Sequence, residues 1–247
     1  MANNWLPANW PAPARVRAGT TTRIGGVSNA PYDSFNLALH VGDDLDKVRR
    51  NREQLVKLLD LPADPVWLKQ QHGGNVINGD QQSGAGADAC ITGMANIVCA
   101  VITADCIPLL MCNRSGTQVA AIHAGWRGLC AGIIANSIAE FNESHERLLA
   151  WIGPHICARH YPVQAAMRNA CLQSLSTASA SAFSHAGNEQ WFADLEKLAR
   201  IELEQLGVTA IFTSGRCSYS EADTFYSYRR NNETGRMASL IWITSED

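Results

Sequence analysis

The stretch Thr103–Gly128, TADCIPLLMCNRSGTQVAAIHAGWRG, constrains the fold more than any other. Two apolar runs, Cys106–Cys112 and Gln118–His123, flank Asn113-Arg114-Ser115-Gly116. That linker has turn chemistry, so the segment predicts a β-hairpin. Centring the turn on Arg114-Ser115 pairs Asn113 with Gly116, Leu110 with Val119 and Cys106 with His123. Directly opposed residues have Cβ atoms about 4.5–5.5 Å apart. Such a spacing suits two ligands of one metal, or a thiolate–imidazolium pair. Pro108 weakens this register, because proline has no N–H for a ladder and marks edges or bulges.

With 247 residues, one large domain or two small ones are both allowed. There is no internal repeat and no interdomain linker. Strands and helices are mixed without strict alternation, which predicts one layered α+β domain over residues 1–247 with a mixed sheet. A net charge of −3 gives no reason to expect nucleic acid or an anionic membrane as partner. No apolar run approaches the roughly 20 residues that span a bilayer. The start lacks a basic flank before a long apolar region, so a cytoplasmic location is expected. The eight cysteines show no dense, regular framework and no export signal is read, so most are expected to be reduced thiols; no CxxC occurs, which argues against a zinc ribbon or thioredoxin-type site. Cys90, Cys99, Cys112, Cys130 and Cys171 lie among Ala, Ile, Val and Leu and read as small core side chains.

Along the chain, Arg15–Thr22 reads as a strand. Arg23-Ile24-Gly25-Gly26-Val27-Ser28 follows, either a backbone cradle for an anion with Arg23 as a planar fork, or the commoner plain glycine turn. Asp43–Asp60 is the clearest helix, capped by Asp43 or Asp44, with Leu45, Val48, Arg52, Leu55 and Leu59 at helical spacing. Pro65–Gln70 is a short strand ending in Gln70-Gln71-His72-Gly73-Gly74. Asp88 closes a small-residue loop, as a cap or as part of a site. Asn96–Thr103 is an apolar strand leading into the hairpin. Gly125–Gly128 turns into an expected helix, Leu129–Phe141, whose N-terminal N–H groups would face His123 with Arg127 beside them. Leu148–Ile152, Val208–Phe212, Thr224–Arg229 and Met237–Ile243 read as strands. Pro162–Ser176 and Asn188–Leu206 read as helices, separated by a surface segment, Ser174–Ser184.

His72 in QQHG, Cys106 in TADCIPLL and His123 in HAGWRG resemble the three metal-ligand motifs of the YfiH family. That family is also called the laccase-domain, polyphenol oxidase or peptidoglycan editing factor family. TRIGGVS, YDSFNL, IGP, CS and FYSYRR match in the same order, over nearly the whole chain. Only the resemblance makes His72 a third ligand. It implies a fold related to that of a bacterial toxin deamidase. It also implies purine nucleoside phosphorylase activity, with adenosine deaminase and methylthioadenosine phosphorylase side activities. The implied cofactor is Zn²⁺ with Cu²⁺ as an alternative, and the implied partners are purine nucleosides and phosphate, in a monomer or homodimer.

Imidazole and thiolate are ordinary zinc ligands, and three of them leave a fourth position for water or substrate. Asp105, beside Cys106, is a candidate support for the ligands or a local general acid/base. For the phosphorolysis that the resemblance implies, Arg23 and Arg127 are candidates for phosphate. Asn36 and Gln70 are substrate-contact candidates by motif position only. Three rivals are open. Copper-dependent polyphenol oxidation is one, although the seven histidines form no HxH pair. A Cys106–His123 hydrolase acting on peptidoglycan precursors is the second. A non-catalytic metal-binding module is the third.

Overall fold

The structure, a computed structural model, describes residues 4–80 and 84–245. Two sheets pack face to face at its centre. One has four strands, in the order Trp5–Pro7, Val16–Thr21, Met237–Ile243, Val98–Thr103. The other has six, in the order Ala210–Thr213, Leu148–Ile152, Ile107–Asn113, Val119–Ala124, Ala89–Thr92, Val76–Asn78. The second sheet is mixed: Ala210–Thr213 runs parallel to Leu148–Ile152, and Val76–Asn78 runs parallel to Ala89–Thr92. A small three-stranded sheet joins Pro162–Gln164, Gln190–Ala193 and Phe183–Gly187.

Side-chain alternation sorts these strands into layers, because successive residues point to opposite faces. Cys99 and Val101 meet Leu110, Cys112, Val119, Ala121 and Trp151 between the two sheets. Val98, Ala100 and Ile102 turn the other way, with Leu240 and Trp242, onto the helix Leu45–Leu59 through Leu55. On the far face of the six-stranded sheet, Ile107, Leu109, Met111 and Ile122 pack against Leu129, Ile133, Ile138, Leu198 and Leu203. Helix, sheet, sheet, helix is therefore the layer order. Both sheets are covered on both sides, which is why Val98–Thr103, Ile107–Asn113, Val119–Ala124 and Leu148–Ile152 are buried along their whole length rather than at alternate residues.

The helix predicted over Asp43–Asp60 runs Leu45–Leu59, capped by Asp44, whose carboxylate accepts the N–H groups of Asp46 and Lys47. Other expectations are corrected. The apolar helix predicted over Leu129–Phe141 is two short ones, Trp126–Cys130 and Ile133–Ala139, because Gly132 adopts φ +73° between them. The two long helices near the C-terminal half each begin as a strand, at Pro162–Gln164 and Gln190–Ala193, before the helices Ala165–Ser174 and Leu195–Gln205. Thr224–Arg229 is not a strand. It is a turn segment tied down by the Arg230 guanidinium, which donates to Ser218, Tyr219 and Phe225 carbonyls. Pro65–Gln70 keeps one bridge, between Val66 and Cys99. Among the described residues, no helix is long and apolar enough to cross a membrane.

Candidate metal centre

The hairpin forms, but two residues out of the expected register. Cys112 pairs with Val119 and Pro108 with His123. The cause is Asn113, whose side-chain oxygen accepts the N–H groups of Thr117 and Gln118 at 2.9 and 3.1 Å. That bonding enlarges the loop to Arg114–Thr117. A shift of two preserves every side-chain face, so Cys106 and His123 still point to one side of the sheet. Pro108 is accommodated because its carbonyl side faces Gly153, just past the end of the strand Leu148–Ile152. No ladder donor is missed there.

In the observed register Gly125, not His123, stands opposite Cys106. A Cβ at Gly125 would lie 2.8 Å from Cys106 Sγ and 3.3 Å from His72 Cδ2. Glycine at that position is what lets the His72 loop and the Cys106 turn close on each other. One ligand atom from each of His72, Cys106 and His123 lies within 4.8 Å of the others. The two imidazoles meet edge to face, with centroids 4.6 Å apart. His123 is 2 % exposed, Cys106 is half-buried and His72 is exposed. The cluster thus opens to solvent on the His72 side. Among the described residues no further His, Cys, Asp or Glu joins it.

Asp88 hydrogen-bonds to two of the three candidate ligands. Its Oδ1 accepts His123 Nδ1 at 2.8 Å and the His72 N–H at 2.9 Å. Its Oδ2 accepts the Gly73 N–H at 2.7 Å, and Gln71 donates as well. A carboxylate can only accept, so Nδ1 of His123 carries a proton and Nε2 is the ring atom left facing the cluster. The three successive N–H groups hold His72 at φ +58°, a left-handed conformation that turns its ring inward. Burial raises the Asp88 pKa, but the His123 hydrogen bond and the backbone donors outweigh it, and the net shift is downward. Sequence alone left Asp88 undecided between cap and site. An acidic residue directly before the apolar run Ala89-Cys90-Ile91 is the signal that could have marked it.

Thiol and imidazole perturb each other in the absence of metal. Burial pushes the Cys106 thiol up, but His123 and His72 more than offset it, bringing it to about 6. Burial likewise lowers His123, and the Cys106 thiolate and Asp88 carboxylate overcome it, raising the ring to about 9. The pair is therefore a thiolate and an imidazolium around neutrality.

The remaining predicted site residues are placed as follows. Asp105 (φ +97°) turns its carboxylate away from the cluster, accepting Ser218 Oγ and the Arg229 N–H, each at 2.6 Å. Both its oxygens are thereby engaged. Asn36 is fully buried and exchanges hydrogen bonds with Ala38, Asp43 and Arg236. Gln70 mimics a strand pairing, with its side-chain amide donating to and accepting from the backbone of Ile102. Arg23 donates to the Asp33 and Ala222 carbonyls, pairs with the Asp33 carboxylate at 3.2 Å and stacks on Tyr226. The Gly25 and Gly26 N–H groups donate to Ser34 Oγ, so the stretch is a structural turn, the commoner of the two readings its sequence allowed. The polar atoms of Arg23, Asn36 and Gln70 are thus spent within the protein. Arg127 is exposed and stacks on Trp126 at 4.4 Å. The helix it belongs to has five residues, too short for the N-terminal anion site expected there. His155, which is not among the predicted site residues, is buried, its Nδ1 donating to the Gly153 carbonyl at 2.9 Å.

Beside the cluster lies a cavity of about 460 Å³, lined among others by Trp126, Tyr161, Met167 and Arg229. Trp126 follows Gly125, and the Arg229 N–H is held by Asp105 next to Cys106, so this cavity borders the centre.

Fold and site together define a layered α+β protein built round a solvent-accessible His–Cys–His centre. The sequence model of the family described as "Multi-copper polyphenol oxidoreductase laccase" matches residues 17–244. A relative from Shigella flexneri named purine nucleoside phosphorylase YfiH is 48 % identical over 236 residues, covering 95 % of this chain and 96 % of its own. A purine nucleoside phosphorylase of Pseudomonas aeruginosa is 45 % identical over 241 residues, covering 98 % and 99 %. The crystal structure of a Neisseria meningitidis protein superposes with a TM-score of 0.94 at 43 % identity, covering 98 % of this chain and all of that one. The chain belongs to the YfiH family, the laccase-like family of that sequence model.

Proposed function

We propose that this protein is a zinc-dependent purine nucleoside phosphorylase that also deaminates adenosine and cleaves methylthioadenosine. The observation that carries the reading is the convergence of His72, Cys106 and His123 within 4.8 Å, with the His123 tautomer set by Asp88. Two imidazoles and a thiolate are a zinc-type donor set, and a carboxylate behind a ligating histidine is the usual outer support. Bound there, zinc would supply Lewis acidity and the means to activate water. Cu²⁺ would take the same donors and bind them more tightly at equal geometry. The names of the relatives support the purine nucleoside assignment.

The chain's own residues supply binding and orientation. Trp126 and Tyr161 give the neighbouring cavity aromatic walls of a size suited to a purine nucleoside. Arg127, exposed on the Trp126 ring, is the candidate for phosphate. In phosphorolysis a phosphate oxygen bonds to the ribose anomeric carbon as the C–N bond breaks. The electron pair leaves with the purine, which takes up a proton. Zinc-loaded protein given adenosine and phosphate should release adenine and ribose-1-phosphate, and His72→Ala should abolish that release while leaving the fold intact. Inosine and ammonia would report deamination. Full turnover by His72→Ala would refute the assignment.

The thiolate–imidazolium pair, with Asp88 behind His123, favours one second reading: a Cys–His hydrolase acting on peptidoglycan precursors. There Cys106 Sγ would bond to an acyl carbon, and His123 would protonate the leaving amine. A covalent acyl adduct on Cys106 in metal-free protein would support this reading against the first. Phenol oxidation appearing only after copper addition would mark the laccase activity as incidental.

A further inference from the structure

Three pairs of thiols face each other among the described residues. The sulfurs are 3.0 Å apart in Cys90–Cys99, 3.5 Å in Cys130–Cys171 and 2.8 Å in Cys157–Cys217. The first pair is sealed between the sheets, both residues wholly buried. In the second, Cys130 is half-buried like Cys157, but Cys171 is wholly buried and the sulfurs are the furthest apart. The third is the closest and also reaches solvent, with Cys157 half-buried and Cys217 8 % exposed. The Cys157 N–H donates to Cys217 Sγ at 3.3 Å, giving negative charge on that sulfur a fixed donor. Closing this pair to a bond of about 2.05 Å needs a shift of only ~0.8 Å.

We propose that Cys157 and Cys217 form a peroxide-sensitive dithiol that closes reversibly into a disulfide behind the metal centre. The Cys217 thiolate attacks one oxygen of hydrogen peroxide. The O–O bond breaks, Cys217 becomes a sulfenic acid, and the departing hydroxide takes a proton to leave as water. Cys157 then displaces the second oxygen, again as water, and the S–S bond forms. Two thiols are oxidised and one peroxide is reduced to two waters. A small dithiol reductant reverses the change by exchange.

The position of the pair ties it to Asp105. The Ile156 N–H donates to the Asp105 carbonyl at 3.0 Å, and Ser218 Oγ donates to the Asp105 carboxylate. The Ser218 N–H donates to the His155 carbonyl at 2.9 Å. The disulfide would add a covalent tie to this hydrogen-bonded knot, one residue before Cys106 and four before the cavity wall at Tyr161.

The test uses the full, zinc-loaded chain treated with stoichiometric hydrogen peroxide, followed by differential alkylation and peptide mass mapping. The expected result is a Cys157–Cys217 linked peptide. It should form on the order of tenfold faster than modification at Cys90, Cys99 or Cys112, and dithiothreitol should reverse it. Thermal unfolding of the oxidised protein should shift up by several degrees, since the bond closes a long loop. Both effects should vanish in Cys157→Ser and persist in Cys130→Ser. Cys157 is the more exposed partner, so its serine variant carries the test even if Cys217→Ser does not fold. Cys157 and Cys217 remaining alkylatable while Cys106 or Cys130 is oxidised would overturn the proposal.

Discussion

Asp88→Asn is the perturbation that most directly probes how the centre is held. The substitution keeps size and removes one acceptor oxygen together with the charge. In wild type, Oδ1 serves His123 and His72 while Oδ2 serves Gly73. Either orientation of the asparagine amide leaves an NH₂ group facing an N–H on one of those sides. Hydrogen bonds to charged groups contribute about 1.5–3 kcal/mol each, so losing at least one and weakening the rest should cost about 3 kcal/mol of stability. Loss of the carboxylate behind a ligating histidine should weaken metal affinity ~10–100-fold, or ~1.4–2.8 kcal/mol. Asp88 also helps raise His123 to about 9, so protons would compete with a metal ion for that ring at neutral pH. Zinc titration against a chromophoric chelator should therefore be run near neutrality and again above that value, where proton competition is gone. Urea unfolding in excess chelator gives the stability term separately. A folded Asp88→Asn protein that binds zinc within threefold of wild type at the higher pH would refute the idea that Asp88 orients the ligands.

Gly125→Ala should lower zinc affinity with little change in secondary structure, because its Cβ meets the Cys106 sulfur at 2.8 Å; unchanged affinity in the same chelator competition would contradict that packing. In metal-free protein, alkylation of Cys106 by iodoacetamide should rise through a midpoint near pH 6, where the thiolate forms, and a midpoint near 9 would mean that His123 and His72 do not stabilise it. Burial raises Glu202 to about 7 against an ordinary value of 4.5, and its Oε2 has no hydrogen-bond partner. The folded state therefore binds a proton that the unfolded chain has lost between those values, so this contribution is complete below pH 4.5 and disappears as pH rises through 7. Glu202→Gln should remove that loss, gaining at most ~3 kcal/mol over wild type at pH 8 and little at pH 4.5, as read by urea unfolding at each pH. Trp151→Ala should cost ~3–5 kcal/mol, since the ring is wholly buried between the sheets and its Nε1 donates to Asn9; a loss under 1 kcal/mol would put the ring outside the core.

Much of the architecture was legible because it rests on local patterns. The apolar runs at Val98–Thr103, Leu148–Ile152 and Met237–Ile243 could only be buried strands, and the Leu45–Leu59 helix announced its cap and its apolar face. Short strands such as Val76–Asn78 and Gln190–Ala193 carried no such signal, since three or four residues cannot establish a period and their pairing comes from distant segments. The hairpin shows the boundary clearly. Its existence and the common face of Cys106 and His123 followed from residue order. Its register depended on the side-chain oxygen of Asn113 bonding to Thr117 and Gln118.

By itself, the sequence determined which chemical groups are available and which family motifs hold them: two imidazoles and a thiol in QQHG, TADC and HAGWRG. Only the tertiary structure decided that these groups meet, that Asp88 stands behind them, and that Arg23, Asn36 and Gln70 are bound up within the fold. The reason is one of range. Periodicity and turn chemistry act over a few residues, whereas Asp88 lies 35 residues from His123 and 16 from His72. Their hydrogen bonds exist only once two covered sheets have brought those strand ends and loops together.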